Sequence, residues 1–149
     1  MCCLACWLFA VSEENWGVVR EMNVFGVPER ARRAVELVRP GDTLVFYVSK
    51  KNSRRLGGLI VGVYRVVSTW FREDKPLWPD EVREGLVKYP WRIRIEPIRL
   101  GAVPYVEVVG RLSFVGNKDR PNAYLVGTPA NLRRPISEDD VRVIMESMR

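Results

Sequence analysis

The residue types with the clearest chemical meaning in this chain are cations grouped in one short stretch. Between two apolar runs, the segment 49–58 (SKKNSRRLGG) carries four positive charges within six residues: Lys50, Lys51, Arg54 and Arg55. Ammonium and guanidinium groups bind phosphate oxygens, which adds affinity but no sequence information. The pattern therefore predicts a phosphate-binding loop, and a solvated loop without a ligand is the alternative. Lys118 and Arg120 are further candidates for phosphate contacts.

Groups that carry out catalysis or bind metals are scarce. The chain has no His, and its cysteines (Cys2, Cys3 and Cys6) lie within the first six residues. This arrangement fits neither a four-ligand zinc site nor a disulfide framework. Asp74 and Asp80 flank Trp78 and could hold a magnesium ion, but most acidic residues lie at predicted helix starts, where capping explains them. We therefore expect no catalytic residues, no metal site and no cofactor, and we assign the cysteines no function.

Composition indicates a folded, basic protein. The 149 residues are 47% hydrophobic with a net charge of +6, which favours a polyanionic partner over a merely Arg-rich surface. No apolar run reaches the ~18 residues of a membrane span, and the apolar start lacks the basic region of a signal peptide. We expect one domain over residues 1–149, a cytoplasmic location and no membrane partner. The absence of Gln indicates a heat-adapted source.

Periodicity and capping residues predict the elements that position these groups. Strands at Thr43–Val48 and Gly58–Val67 are apolar on both faces, as in strands covered on both sides. Ser12 and Ser137 are N-cap residues for a helix from Glu13 to about Glu21 and for a closing helix. The other predicted elements are strands at Leu4–Val11, Asn23–Val27 and Tyr124–Gly127, a helix from Pro28 to Arg39 and a short helix at Asp80–Val87.

The strand predicted at Tyr89–Ile98 alternates between apolar and charged residues. It directs Trp91, Ile93 and Ile95 inward and Arg92, Arg94 and Glu96 outward, and Pro97 indicates an end or an edge. Val103–Gly110 is compatible with a helix or a strand. Together these elements predict a mixed α/β (α+β) fold, in which helices pack around a strongly bent sheet or open β-barrel.

The order of several segments resembles a known family. These segments are WLFAVSEENW, NVFGVPERARRAVELVRPGDTLVFYV, GGLIVGVYRVVS, PLWPDE, YPWRIRIEPI and RPIS before an acidic helix. They resemble the EVE domain, a PUA-like domain related to the YTH readers of methylated adenine in RNA. The resemblance covers nearly the whole chain from Trp7. It implies a curved sheet that forms an open barrel and a pocket that accepts a flipped or single-stranded modified base.

The resemblance also implies which residues form that pocket. Phe25 stands where related domains usually have a cage tryptophan, and Trp78 matches the second aromatic wall. Ser12 and Asn15 fall where related readers place polar groups near the base edge, and Gly26 would offer its backbone N–H. Trp70 and Tyr89 are candidates for the pocket rim. Packing in the core is the alternative for each aromatic residue.

The resulting hypothesis is a non-catalytic module that binds RNA or DNA and accepts a modified base, methylated in the first instance. Stacking contributes about 1–3 kcal/mol per base, whereas one buried methyl group adds only about 0.8 kcal/mol. Two alternatives remain: a PUA-like RNA-binding protein without modified-base selectivity, and, less favoured, an enzyme that acts on nucleic acid.

Overall fold

The computed structural model describes residues 4–117, 119 and 135–149. Cys2, Cys3, Lys118, Arg120 and the strand predicted at Tyr124–Gly127 lie outside these residues. The described part of the chain contains strands β1 to β6 and helices α1 to α5. The strands are Cys6–Val11, Val24–Val27, Thr43–Val48, Leu59–Val66, Phe71–Arg72 and Trp91–Pro104, and the helices are Glu13–Met22, Arg32–Leu37, Pro79–Glu84, Tyr105–Val108 and Glu138–Ser147.

The strands form one strongly curled sheet in the order β1-β3-β4-β6-β2, with β5 paired to β6. β1 and β3 are parallel, and the other pairs are antiparallel. The long strand β6 produces the curvature, because residues 91–94 pair with β2 whereas residues 95–104 pair with β4. Two register shifts between β4 and β6 increase the local twist. The mixed α/β half-barrel expected from the sequence is confirmed.

Both faces of the sheet are covered by apolar side chains. Along β3, Leu44, Phe46 and Val48 pack into a cluster on the concave side together with α1 and α2. Val45 and Tyr47 pack on the opposite side with residues of α4 and α5. This two-sided burial is the reason why β3 is apolar throughout, as its sequence predicted.

The two predicted serine caps are confirmed. Ser12 Oγ accepts a 3.2 Å hydrogen bond from the backbone N–H of Asn15 at the start of α1. Ser137 Oγ accepts one of 3.1 Å from Asp140 N–H at the start of α5. Each cap satisfies an N–H group that has no partner within its own helix.

Helix α2 and strand β6 differ from their predicted lengths. Residues 28–31 form a turn, with a 3.0 Å hydrogen bond from Ala31 N–H to the Pro28 carbonyl, so that α2 begins only at Arg32. β6 continues past Pro97, which pairs with Tyr64 at a register shift where the ladder is irregular. The segment that was ambiguous in the sequence holds the end of β6 and then the short helix α4.

Candidate functional site

A cavity of about 1080 Å³ lies between the β1–α1 junction, β2, the β3–β4 hairpin loop and α3. Its volume is at the upper end of the ~300–1,000 Å³ range for small-molecule sites, which leaves room for a nucleotide and part of its backbone. Eight predicted site residues line it: Ser12, Asn15, Phe25, Gly26, Lys51, Arg54, Trp78 and Tyr89. Lys50, Arg55 and Trp70 do not line it.

Trp78, which precedes α3, lies directly against the backbone of β2. Its side chain is only 2% exposed, and a Cβ atom placed on Gly26 would lie 2.4 Å from Cη2 of its ring. No side chain fits at that distance, so glycine permits the close approach of the indole. Tyr89 packs edge-on against the same indole, with ring centroids 5.5 Å apart. The position of this aromatic wall is therefore set by backbone contact.

The segment that carries Trp78 is held by a buried carboxylate. Glu81 is fully buried, and its Oε1 accepts the backbone N–H groups of Leu77 and Trp78. Its Oε2 accepts those of Lys88 and Tyr89 at 2.8 and 3.0 Å. One side chain thus joins both ends of the segment around α3, which limits the freedom of Trp78 to move.

Arg92 lies behind the indole and not in solvent, so the outward position predicted for it is wrong. It is 1% exposed, and its guanidinium lies 5.0 Å from the centroid of the Trp78 ring. It forms ion pairs with Glu73 at 2.9 Å and with Glu81 at 3.5 Å. The strand alternates as predicted, but α3 and the loop before it cover the face that carries Arg92. Desolvation strengthens the cation–π contact with Trp78.

Phe25 belongs to the core and also borders the cavity. Its ring is 3% exposed and lies 5.0 Å from the ring of Phe9 and 5.1 Å from that of Phe46. These contacts place it within the concave apolar cluster, while a part of it lines the cavity with Trp78. Its role as a wall for a base stays a prediction.

A short series of polar contacts runs along one side of the cavity. Tyr89 Oη donates a 2.6 Å hydrogen bond to Asp80 Oδ2, and Asn15 Nδ2 donates to Tyr89 Oη at 3.5 Å. Burial and the hydrogen bond to Asp80 raise the pKa of Tyr89. Within the described part of the chain, Asn15 Oδ1 is buried and has no hydrogen-bond partner. An unpaired buried acceptor of this kind costs ~1–3 kcal/mol.

The basic hairpin loop is attached to the first turn of α1 by Glu13. The Glu13 carboxylate accepts the backbone N–H groups of Arg54 at 3.1 Å, of Arg55 at 2.9 Å, and of Leu56. The hydrogen bonds from Leu56, Arg55 and Arg54 lower the pKa of Glu13. Lys51 and Arg54 are thereby held beside the cavity. Sequence reasoning missed this contact, because Glu13 looked like an ordinary first-turn acid.

Charges at the cavity rim differ in whether they are paired. Glu14 forms an ion pair with Arg83 at 3.0 Å, and Glu84 forms one with Lys88. Among the residues that the structure describes, no salt bridge engages five cations on or near the rim: Arg30, Lys50, Lys51, Arg54 and Arg55. These cations are available to an anionic ligand.

Trp70 lies outside the cavity wall. Its Nε1 donates a 3.0 Å hydrogen bond to the carbonyl of Val38, and its ring packs on the concave apolar cluster. It anchors the chain after β4 to the end of α2. Its predicted place at the pocket rim stays a prediction for the bound state.

The two acids considered for magnesium have other partners. Asp74 forms an ion pair with Arg72 at 3.4 Å, and Asp80 accepts hydrogen bonds from Tyr89 Oη and Glu81 N–H. Over residues 4–117, 119 and 135–149, no group of three or more His, Cys, Asp or Glu side chains could hold a metal ion. In the same part of the chain, no helix has the length and apolar character needed to cross a bilayer.

The fold and the cavity define a curled half-barrel of the kind found in YTH domains. The Pho92 YTH domain in complex with m6A superposes with a TM-score of 0.60 at 14% identity, covering 96% of this chain and 84% of that one. The YTH domain of Zygosaccharomyces rouxii MRB1, in complex with N6-methyladenosine RNA, gives a TM-score of 0.59 at 13% identity, covering 96% and 85%. At this identity the likeness concerns the fold.

The chain belongs to the EVE domain family, whose family model matches residues 5–147. The UPF0310 protein SSO2595 of Saccharolobus solfataricus is 32% identical over 143 residues, which cover 96% of this chain and 94% of that protein. The UPF0310 protein PYRAB08750 of Pyrococcus abyssi is 37% identical over 141 residues, covering 93% and 95%. The family predicted from the sequence is confirmed.

Sequence reasoning also missed Glu81 and Arg92. Glu81 follows Trp78 by three residues, at the position where a capping box places its carboxylate, and this spacing was the one available signal. Arg92 had no such signal, because charged residues in an alternating strand normally face solvent.

Proposed function

We propose that this protein is a non-catalytic nucleic-acid-binding module that accepts a modified base in the cavity beside Trp78. The observation that carries the proposal is an aromatic-walled cavity whose rim holds Lys51 and Arg54 without salt-bridge partners. An aromatic wall suits any base, because every base has a π-face, and cations at the rim suit the phosphates on either side of it.

The rigidity of the wall supports base binding in this cavity. Trp78 is held by contact with Gly26, by the hydrogen bonds of Glu81 and by the guanidinium of Arg92. A wall that is already in place before binding loses little side-chain entropy when the ligand arrives. The stacking contribution of about 1–3 kcal/mol per base is then largely retained as affinity.

The nature of the structural neighbours supports a methylated base as the first ligand to test. The Pho92 and MRB1 domains are solved with m6A and with N6-methyladenosine RNA. In this chain Phe25 takes the place at which related domains usually have a cage tryptophan, so the base and its modification need to be determined directly. Single strands are the preferred substrate, because flipping a base out of a duplex costs a few kcal/mol.

The phosphate contacts fall to the hairpin loop. Glu13 holds this loop through its backbone, which leaves the side chains of Lys51 and Arg54 free at the cavity. Lys50 and Arg55, on the same loop, extend the cationic surface away from the cavity. Lys118 and Arg120 stay predicted phosphate contacts, since they lie outside the described residues.

A second candidate function is RNA binding without modified-base selectivity. The burial of Phe25 and Trp78 favours it, because both rings already have complete core environments without a ligand. In that case the cations would bind the backbone and the cavity would stay unused.

A panel of oligonucleotides separates the two functions. Fluorescence anisotropy would compare single-stranded RNA and DNA carrying one central methylated base with the same strands unmodified. We expect at least the ~fourfold preference that one buried methyl group provides. Trp78→Phe should reduce this preference, and Trp70→Phe, the same change outside the cavity wall, should preserve it. Equal affinity for every modified and plain strand would leave only the generic RNA-binding function.

A further inference from the structure

The contacts between Asp80, Tyr89 and Asn15 have only one arrangement of protons. Asp80 Oδ1 accepts the Glu81 backbone N–H at 2.9 Å, and Oδ2 lies 2.6 Å from Tyr89 Oη. A carboxylate only accepts hydrogen bonds, so the proton between the two oxygens belongs to the phenol. The short distance is typical of a charge-assisted hydrogen bond. Tyr89 therefore has no proton left for a second neighbour.

This assignment determines how the Asn15 amide is oriented. With its proton directed at Asp80, the Tyr89 oxygen can only accept, and it lies 3.5 Å from Asn15 Nδ2. Turning the amide over would place Oδ1 against the phenolic oxygen with no proton between them. Asn15 is therefore held with its NH₂ group toward Tyr89, and Oδ1 is left as a buried acceptor without a partner in the described chain.

We infer that Asp80 and Tyr89 are positioning residues that make Asn15 Oδ1 a hydrogen-bond acceptor for the ligand, so that the cavity selects bases bearing an exocyclic amino N–H. The inference rests on the proposed function and deepens it by naming the chemical class of the base. Adenine, through N6, and cytosine, through N4, belong to this class. A single methyl group on the amine retains one N–H, whereas two methyl groups remove the donor.

Pairs of bases with the same shape test this inference. N6-methyladenine and 6-methoxypurine differ only in having N–H or O at the same atom, and N4-methylcytosine and 4-methoxypyrimidin-2-one differ in the same way. Each would be placed at the centre of a short single-stranded RNA and a DNA of the same sequence, together with the unmodified base. Dissociation constants would be measured by anisotropy at one salt concentration.

The wild-type protein should bind the amino member of at least one pair about tenfold more tightly, because the ether oxygen leaves Asn15 Oδ1 unpaired. In Asp80→Asn, the new side chain keeps its oxygen on the Glu81 N–H and turns its NH₂ group toward Tyr89. The phenol then donates to Asn15, and the amide turns over. We expect the ratio of affinities to fall to one or below.

Two further variants accompany Asp80→Asn. Tyr89→Phe removes the hydroxyl and frees the amide to rotate, so the ratio should fall to within about twofold of one. Asp139→Asn makes the same chemical change in the first turn of α5, far from the cavity, and should retain the wild-type ratio. A purely structural role for Asp80 or Tyr89 would change affinities for both members of a pair together.

The outcomes separate this inference from the function on which it rests. If wild type binds methylated strands more tightly than plain ones but treats the members of every pair equally, the inference is overturned and the proposed function stands. If no strand shows base-dependent binding, both are overturned. A wild-type ratio that persists in Asp80→Asn and in Tyr89→Phe overturns the assignment of selectivity to these two residues.

Discussion

The backbone N–H of Arg55 donates a 2.9 Å hydrogen bond to Oε1 of Glu13, which joins the tip of the β3–β4 hairpin to the first turn of α1. The carboxylate also accepts the N–H groups of Arg54 and Leu56. One acidic side chain therefore holds the backbone of the most cationic loop without neutralising its side chains by ion pairs. The loop stays cationic at the place where the cavity opens.

Glu13→Ala should release this loop. With its acceptor lost, we expect the amide protons of Arg54, Arg55 and Leu56 to exchange at least about tenfold faster, because local opening no longer breaks these hydrogen bonds. Oligonucleotide binding should weaken as Lys51 and Arg54 lose their fixed position. Hydrogen exchange followed by NMR measures the first effect and anisotropy the second. Glu21→Ala, at the other end of α1, is the matched control, and unchanged exchange in Glu13→Ala would contradict the attachment.

The attachment should also depend on pH. Backbone hydrogen bonds from Leu56, Arg55 and Arg54 lower the pKa of Glu13 below its ordinary value of 4.5. A carboxyl whose pKa is lowered in the folded state stabilises that state above its unfolded pKa, and loses this effect as the pH falls through the folded pKa. The loop should stay attached at neutral pH and separate only below pH 4.5. An NMR titration of the Leu56 amide with a midpoint at or above 4.5 would show that the carboxylate is not held in this way.

Gly26→Ala should destabilise the protein and displace Trp78. The added Cβ would lie 2.4 Å from Cη2 and 2.7 Å from Cζ3 of a buried, rigid indole. Overpacking of this kind costs about 1–3 kcal/mol in the free energy of unfolding. Gly110→Ala is the control, because a Cβ there meets nothing within 4 Å, and its effect should stay within about 0.5 kcal/mol. Denaturant unfolding measures both, and equal stabilities would mean that Trp78 is free to yield.

Removing Glu81 should be far more costly than removing Glu73, although both pair with Arg92. Glu81 is fully buried and holds four backbone N–H groups, so Glu81→Ala leaves these and a buried guanidinium uncompensated. We expect a loss of ~3–5 kcal/mol. Glu73 is half exposed, and Glu73→Ala should cost no more than ~1 kcal/mol. Similar unfolding free energies for the two variants would exclude Glu81 as the support of the Trp78 segment.

The basic loop should determine the salt dependence of binding. Changing Lys50, Lys51, Arg54 and Arg55 together to Ala should weaken oligonucleotide binding and flatten its dependence on salt. For single strands the slope of log K against log salt falls by ~0.7 for each phosphate contact removed. Replacing Arg142 and Arg149, which lie at the other end of the chain, should leave the slope unchanged. A quadruple variant with the wild-type slope would remove the loop from the interface.

Local patterns in the sequence were sufficient for the elements and for the family. Ser12 and Ser137 marked two helix starts, because a capping side chain acts within three residues of its position. The two-sided apolar pattern of Thr43–Val48 indicated a covered strand, and the ordered motifs around Trp78 and Gly26 indicated the family and a curled sheet. In each case the physical cause acts along the chain or along one strand.

The contacts that shape the site required the tertiary structure. Glu13 meets residues 41 to 43 positions away, and Arg92 is buried because a separate segment covers its face of β6. Asn15, Asp80 and Tyr89 come together only when α1 and α3 border the same cavity. No local spacing encodes such meetings, since they depend on how far the sheet curls. The sequence by itself determined which strands and helices form and to which family they belong, and the curvature of the sheet decided which side chains share the cavity.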